Sequence, residues 1–509
     1  MRGQGVGRSE FRVGARYHTE QRLDDQKPIT QNLNIPWEQI AQRYRGKGDS
    51  LRVREAKPRY GVKTHYVPQL PANLQLRDYQ KQAIASWFEH RGRGTLKMAT
   101  GSGKTIVALA IAAELYQQIE LQVLFVICPS RHLVTQWERE CQKFNLHPIL
   151  AFENVQHWQS HLSRQLYNIR AATQPFLTLV TTNATLISEG LRSQLKFFPP
   201  KTLIVGDEAH NLGAQQVEAY LPRNIGLRLA LSATPERYFD DSGTESLFNY
   251  FGAVLEPEFT LADAIEKQAL VRYSYHPLLV ELTQEESLRY AALTKRIGWA
   301  LAEQETLEHS STLTALLMKR SRLVGAAANK LHTLRHLMQG RRHTTHTLFY
   351  CGDGYVENCR QVEAVTRILG RELGYRVNTY TADTPVVERE NLRQQFERGE
   401  LQGLVAIRCL DEGVDIPAIQ TAIILASTGN PRQFIQRRGR ILRPHPDKKT
   451  ATLFDMIVLP PELDRETWEV ERNLLRKELV RFLAFAELAD NAKEAKATLS
   501  QLQIRYQIS

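Results

Sequence analysis

The run Met98-Ala99-Thr100-Gly101-Ser102-Gly103-Lys104-Thr105 places two glycines, a lysine and a hydroxyl at phosphate-binding spacing. Glycines let backbone N–H groups approach phosphate oxygens, and a helix starting at this point adds the positive end of its dipole. Thr100, Gly101, Ser102 and Gly103 are the candidate cradle for ATP. Lys104 would neutralise the β- and γ-phosphates, and the Thr105 hydroxyl would ligate Mg2+. The strict pattern opens with glycine, where this chain has Met98. About 100 residues downstream, an apolar run ends in Asp207-Glu208-Ala209-His210. Asp207 would hold the metal, directly or through water. Glu208 would orient and deprotonate an attacking water. An acidic pair closing a strand is commonly just solvated; the phosphate loop upstream is what points it to chemistry.

Such residues need a scaffold. Between about 74 and 272, short apolar runs alternate with helical stretches: Thr95–Met98, Val123–Cys128, Leu177–Thr181, Leu203–Val205 and Leu227–Leu231. Runs this apolar predict strands buried on both faces, hence a parallel sheet covered by helices. The pattern returns at Thr347–Cys351, Val377–Thr381, Leu404–Ile407, Ala422–Leu425 and Thr452–Ile457, giving a second α/β domain over 341–460. Residues 273–340 read as a helical insert, with Thr283 and Glu286 forming a capping box. Residues 461–509 read as a helical tail with Leu475, Leu479, Phe482 and Ala486 on one face. Residues 1–73 are polar and basic and are expected to be partly disordered, with a short helix over Ile35–Tyr44.

The chain has 509 residues and a formal charge of +11, and residues 1–70 hold 14 basic against 7 acidic side chains. A basic excess favours anionic partners, nucleic acid first. Its 5 cysteines form no Cys-x-x-Cys pair, which argues against a structural zinc site and fits a cytoplasmic setting. Cys128, Cys351 and Cys409 read as buried small hydrophobes. No membrane span and no secretory signal are expected. Glu55-Ala-Lys57 is a tripeptide of nuclease type, but such tripeptides are frequent by chance and no suitably placed aspartate accompanies it.

The two phosphate-site motifs resemble motifs I and II of the superfamily-two helicases and translocases, motif II in its DEAH form. Further matches follow in order. Leu76-Arg77-Asp78-Tyr79-Gln80 resembles the glutamine motif, and Pro129-Ser130-Arg131 with Gln136-Trp137 resembles motif Ia. Thr181-Thr182-Asn183 lies where motifs Ib and Ic begin, and Ser232-Ala233-Thr234-Pro235 matches motif III. Leu348–Cys351 resembles motif IV, Leu410–Pro417 motif V, and Gln436–Arg443 motif VI. The wording is most similar to the type I and III restriction-subunit branch. Glu412 and Gln436 depart from the DEAD-box RNA helicases.

That resemblance implies two RecA-like domains closing on ATP. It implies Gln80 on the adenine edge, Asp415 on the nucleotide, and Gln436, Arg440 and Arg443 completing catalysis, the arginines as fingers. It implies Ser232 and Thr234 as couplers, and Arg131, Thr182 and Asn183 on the nucleic-acid backbone. The expected activity is that of a nucleic-acid-dependent ATPase, a DNA helicase or double-strand translocase. A nuclease or other protein subunit is the expected partner in a restriction or repair system. An RNA helicase and an ATP-gated clamp that does not translocate are the alternatives.

Overall fold

The computed structural model describes residues 33–46, 66–237, 240–302, 311–356, 358–381, 383–407, 416–426, 438–461 and 465–508. All five apolar runs of the first half form strands, joined by a sixth, Ile149–Ala151. In chain order they are β1 (Arg93–Lys97), β2 (Val123–Cys128), β3 (Ile149–Ala151), β4 (Leu177–Thr182), β5 (Thr202–Asp207) and β6 (Leu227–Ser232). All pair in parallel, in the order β1-β6-β5-β2-β4-β3. β2, β4, β5 and β6 are buried along their whole length, as uninterrupted apolar runs require. The missed β3 has three residues and lies at the sheet edge, too short to leave a periodic signal.

The second sheet contains β7 (Arg272–Glu281) and β8 (Thr347–Cys351), then, past a small hairpin of β9 (Tyr355–Val356) and β10 (Cys359–Arg360), β11 (Val377–Tyr380), β12 (Gly403–Ile407), β13 (Thr421–Ile424) and β14 (Thr450–Leu459). Its order is β11-β12-β8-β13-β14-β7, again all parallel. The segment expected to begin the helical insert at 273 therefore starts as a strand of the second sheet. The strand accommodates Pro277 because β7 lies at the sheet edge, where a missing N–H is tolerated.

The insert proper is the helix Gln284–Ala302, the helix Ser311–Gly325 and the helix Asn329–Gln339. The expected capping box is present: the Glu286 amide donates to Thr283 Oγ1 at 3.3 Å, and the Thr283 amide donates to Glu286 Oε2 at 3.0 Å. The tail is two helices, Arg465–Glu487 and Ala492–Arg505. Leu475, Leu479, Phe482 and Ala486 are all buried, so the apolar face of the first tail helix packs within this chain. Near the N-terminus, the helix Trp37–Arg45 docks on the first domain through Ile40, Ala41 and Tyr44. Arg43 Nη1 donates there to Glu114 Oε1 at 2.7 Å. Cys128 and Cys351 are buried, and Cys409 lies outside the described residues. No described helix is long and apolar enough to cross a membrane.

Candidate active site

In a parallel sheet, functional loops collect at the carboxyl ends of the strands. The order β1-β6-β5 makes three such ends neighbours: the phosphate loop after β1, Ser232 at the end of β6, and Asp207 at the end of β5. Lys97 is paired with Ser232 and Asp207 with Leu231, while the Met98 amide donates to the Ser232 carbonyl at 3.0 Å. Residues more than 100 positions apart in sequence thus share one crevice.

The loop has the conformation its glycines permit. Gly101 (φ 85°) and Gly103 (φ 84°) are left-handed, and the helix Lys104–Ile119 begins directly after them. Lys104 is buried, its Nζ donating to the Met98 carbonyl at 3.1 Å. Gln80 lies beneath the loop: its Nε2 donates to the Ser102 carbonyl at 3.1 Å, and its Oε1 accepts from the Arg77 amide at 3.0 Å. A Cβ on Gly103 would meet Gln80 Nε2 at 2.5 Å. In this structure Gln80 therefore props the loop. Tyr79, the neighbour of Gln80 in the same motif, also donates to the Ser102 carbonyl, at 2.9 Å, and stacks on Phe259. Thr105 is half-buried in the first turn of the helix.

Asp207 is enclosed, and its two oxygens are already engaged. Oδ2 accepts from Trp137 Nε1 at 2.8 Å, and Oδ1 accepts from the Glu208 amide at 3.0 Å. Burial, and then the charge of Glu208, push its carboxyl up from 3.8 to about 6, against the opposing pull of the Trp137 hydrogen bond and the Lys104 charge. Glu208 has φ 45°, a left-handed conformation that is uncommon for a side chain of this kind. Such an outlier commonly marks a functional turn.

The structure adds a residue that site-by-site reading passed over. His210 is buried, with Nδ1 3.6 Å from Glu208 Oε2 and 3.3 Å from Ser232 Oγ. Ser232 Oγ also accepts from the Thr234 amide at 3.1 Å. Glu208, His210, Ser232 and Thr234 thus form a chain of neighbours. Arg237 extends it by donating to the His210 carbonyl. The signal for His210 was its place in the Asp-Glu-Ala-His tetrapeptide.

The second domain reaches the same loop. Gly439 packs so closely on Thr100 that an added Cβ would lie 2.7 Å from the Thr100 Cβ. A Cβ on Gly101 would lie 3.6 Å from Arg443 Cγ. Arg440 is buried at this junction. Lys448 holds the turn after Arg440: its Nζ donates to the carbonyls of Ile441, Arg443 (3.0 Å) and Pro417 (3.3 Å). Sequence patterning offered no sign of that role. Arg438, which in sequence reads equally as part of a solvated basic face, is almost wholly buried. Gln436 and Asp415 lie outside the described residues.

The three nucleic-acid candidates share the carboxyl edge, beside β2 and β4. Arg131 is exposed and paired with Glu153 at 2.6 Å. Thr182 is buried and its Oγ1 accepts from the Thr185 amide at 3.2 Å, a helix cap. Asn183 follows it, with a buried Oδ1 that has no hydrogen-bond partner among the described residues.

Whether ATP fits can be judged from the loop itself. The hydroxyls of Thr100, Ser102 and Thr234 are buried without hydrogen-bond partners among the described residues. Unpaired buried hydroxyls are costly, and a phosphate-rich ligand would satisfy them. A phosphate loop, an acidic strand end and an arginine-bearing turn from a second parallel sheet define a two-domain, ATP-hydrolysing enzyme of helicase type.

Residues 73–237 match the family described as type III restriction enzyme, res subunit, and residues 329–445 match the helicase conserved C-terminal domain. The two matches in tandem, with the DNA-acting relatives, support a superfamily-two helicase with a first domain of the restriction-subunit kind. It is 28% identical over 413 residues to the DNA 3'-5' translocase XPB2 of Sulfurisphaera tokodaii, across 77% of this chain and 83% of that one. It is 26% identical over 395 residues to the DNA 3'-5' helicase XPB of Mycobacterium tuberculosis, across 77% of this chain and 62% of that relative. The chain therefore spans less than two thirds of the mycobacterial protein. In backbone it resembles the ATP-dependent Type ISP restriction-modification enzyme LlaBIII bound to DNA. That likeness has a TM-score of 0.52 at 18% identity, over 82% of this chain and 30% of that one, and concerns the fold.

Proposed function

We propose that the protein is a DNA helicase or double-strand DNA translocase of the DEAH type, driven by ATP hydrolysis between its two sheets. The observation that carries this reading is the seating of Gly439 and Arg443 on Thr100 and Gly101. Phosphoryl transfer needs positioning and charge stabilisation more than covalent chemistry, so residues from both domains must meet at the phosphates.

Each residue then has a task. Backbone amides of 101–105 and Lys104 hold the β- and γ-phosphates. Thr105 and Asp207 hold Mg2+, which when bound supplies charge neutralisation at the phosphates. Glu208 takes the proton of the attacking water, and its turn aims it there. Arg440 and Arg443 stabilise the charge that develops in transit, a contribution of roughly 10³–10⁵ in rate where arginine fingers have been studied. Gln80 holds the loop in shape. His210, Ser232 and Thr234 pass the state of the phosphate site toward the edge where Arg131, Thr182 and Asn183 would grip the backbone of DNA. Closing and opening of the cleft would move that grip against the second domain, which is translocation. DNA is favoured over RNA by the DNA-acting relatives and by Glu412 and Gln436. The restriction-subunit likeness of the first domain favours a nuclease-bearing partner.

The test is the steady-state ATPase rate of wild type, Lys104→Ala and Glu208→Gln, each without polymer and with single-stranded DNA, duplex DNA or RNA. DNA should stimulate the wild type; both variants should lose turnover, and Glu208→Gln should retain ATP binding. A normal rate in either variant would refute the site. Stimulation by RNA alone would establish the RNA helicase. ATP-dependent DNA binding without strand or triplex displacement would establish the clamp.

A further inference from the structure

The arginine that precedes Gly439 faces away from the phosphate loop. Arg438 is 1% exposed and donates through Nη2 to Asp455 Oδ2 at 2.8 Å; Asp455, on β14, is wholly buried. Its guanidinium carbon lies 3.5 Å from the ring centroid of Phe485, near the end of the tail helix Arg465–Glu487. A desolvated guanidinium over an aromatic face is held strongly, and a buried ion pair resists the loss of either partner. Phe485 is itself fixed: Tyr273 of β7 stacks on it at 4.4 Å and donates to its carbonyl at 2.7 Å. The residue beside Gly439 is thus clamped between the second sheet and the tail.

The same helix is anchored at a second point, roughly 21 Å away by helical rise. Glu471 is 1% exposed and accepts from Tyr290 Oη at 2.6 Å and Arg320 Nη2 at 3.0 Å, both on the helical insert. A helix pinned at two buried points transmits displacement instead of absorbing it.

We propose that the helix Arg465–Glu487 is a strut that positions the arginine-bearing turn on the phosphate loop, with Phe485 and Arg438 as positioning residues. This rests on the reading of Arg440 and Arg443 as fingers. Through Glu471, a shift of the insert reaches that turn, so whatever the insert contacts is felt at ATP. Neither positioning residue touches ATP; each acts through Gly439 and its neighbours.

The experiment compares full-length wild type with Phe485→Leu, Phe485→Tyr, Arg438→Lys and Arg443→Ala, in DNA-stimulated ATP turnover. Phe485→Leu keeps the apolar volume but removes the aromatic face. Arg438→Lys keeps the charge opposite Asp455 but loses the planar stack. Small misplacements of reacting groups cost one to two orders of magnitude, so kcat should fall about tenfold in both. The KM for ATP should stay within about twofold and Phe485→Tyr should restore the rate, a split that general loosening of the fold would not give. Wild-type kcat in both Phe485→Leu and Arg438→Lys, with Arg443→Ala inactive, overturns the strut and leaves the fingers standing. Wild-type kcat in Arg443→Ala overturns the fingers and the strut with them.

Discussion

Replacing Asp207 by asparagine should abolish ATP turnover and yet make the protein more stable. The carboxyl is enclosed at the end of β5, where burial and Glu208 move it from 3.8 to about 6. At 1.36 kcal/mol per pH unit, keeping it charged costs the folded state about 3 kcal/mol at pH 8. The native state binds the proton more tightly than the unfolded chain. The stabilising contribution of the protonated form is therefore complete below about pH 4 and is lost as pH rises through about 6. Asparagine has no charge to bury. Its single oxygen cannot serve both Trp137 Nε1 and the Glu208 amide, and an unmet donor costs about 1–2 kcal/mol. The net gain at pH 8 is about 1–2 kcal/mol, or roughly 2–6 °C for a cooperative unit of some 200 residues. Thermal unfolding of the full chain in EDTA without nucleotide, at pH 8 and pH 5, tests this. The variant should melt higher at pH 8, and its advantage should shrink by about 1 kcal/mol at pH 5, where the wild-type carboxyl is already mostly protonated. A variant less stable than wild type at pH 8, or an advantage independent of pH, would refute the reasoning.

Two further outcomes follow from neighbouring contacts. Trp137→Phe removes the donor that favours the charged form of Asp207, so the acid limb of the ATPase profile at subsaturating Mg2+ should move up by roughly half to one pH unit; an unmoved limb would show that Trp137 only fills space. Arg320→Leu leaves Glu471 buried without its counter-charge and should cost about 3–5 kcal/mol in urea unfolding. Adding Glu471→Leu should recover most of that loss, and a double variant as unstable as the single one would rule out the ion pair as the cause.

Much of this architecture was legible in the chain because local rules agreed with global ones. Strands buried on both faces of a parallel sheet read as near-continuous apolar runs, and β2, β4, β5, β6, β8, β12 and β13 were visible as such. A phosphate cradle needs glycines at left-handed positions directly before a helix, and Gly101 and Gly103 are there. The capping box at Thr283 is set by residues three apart. What stayed hidden is what depends on partners distant in sequence. The strand β7 carries a proline and is identified only by its pairing with β14, some 180 residues later. Gln80 resembles an adenine contact in sequence, and its bond to the Ser102 carbonyl of the loop 22 residues later shows only in the fold. The indole of Trp137 and the amine of Lys448 look ordinary until Asp207 and the Arg443 carbonyl are brought against them. Arg438 shows the limit most plainly. In sequence it is one of several clustered arginines, and whether such a charge is solvated or buried depends on whether the fold supplies a counter-charge. Asp455 and Phe485 supply that counter-charge and an aromatic face, and only the packing of sheet and tail brings them there.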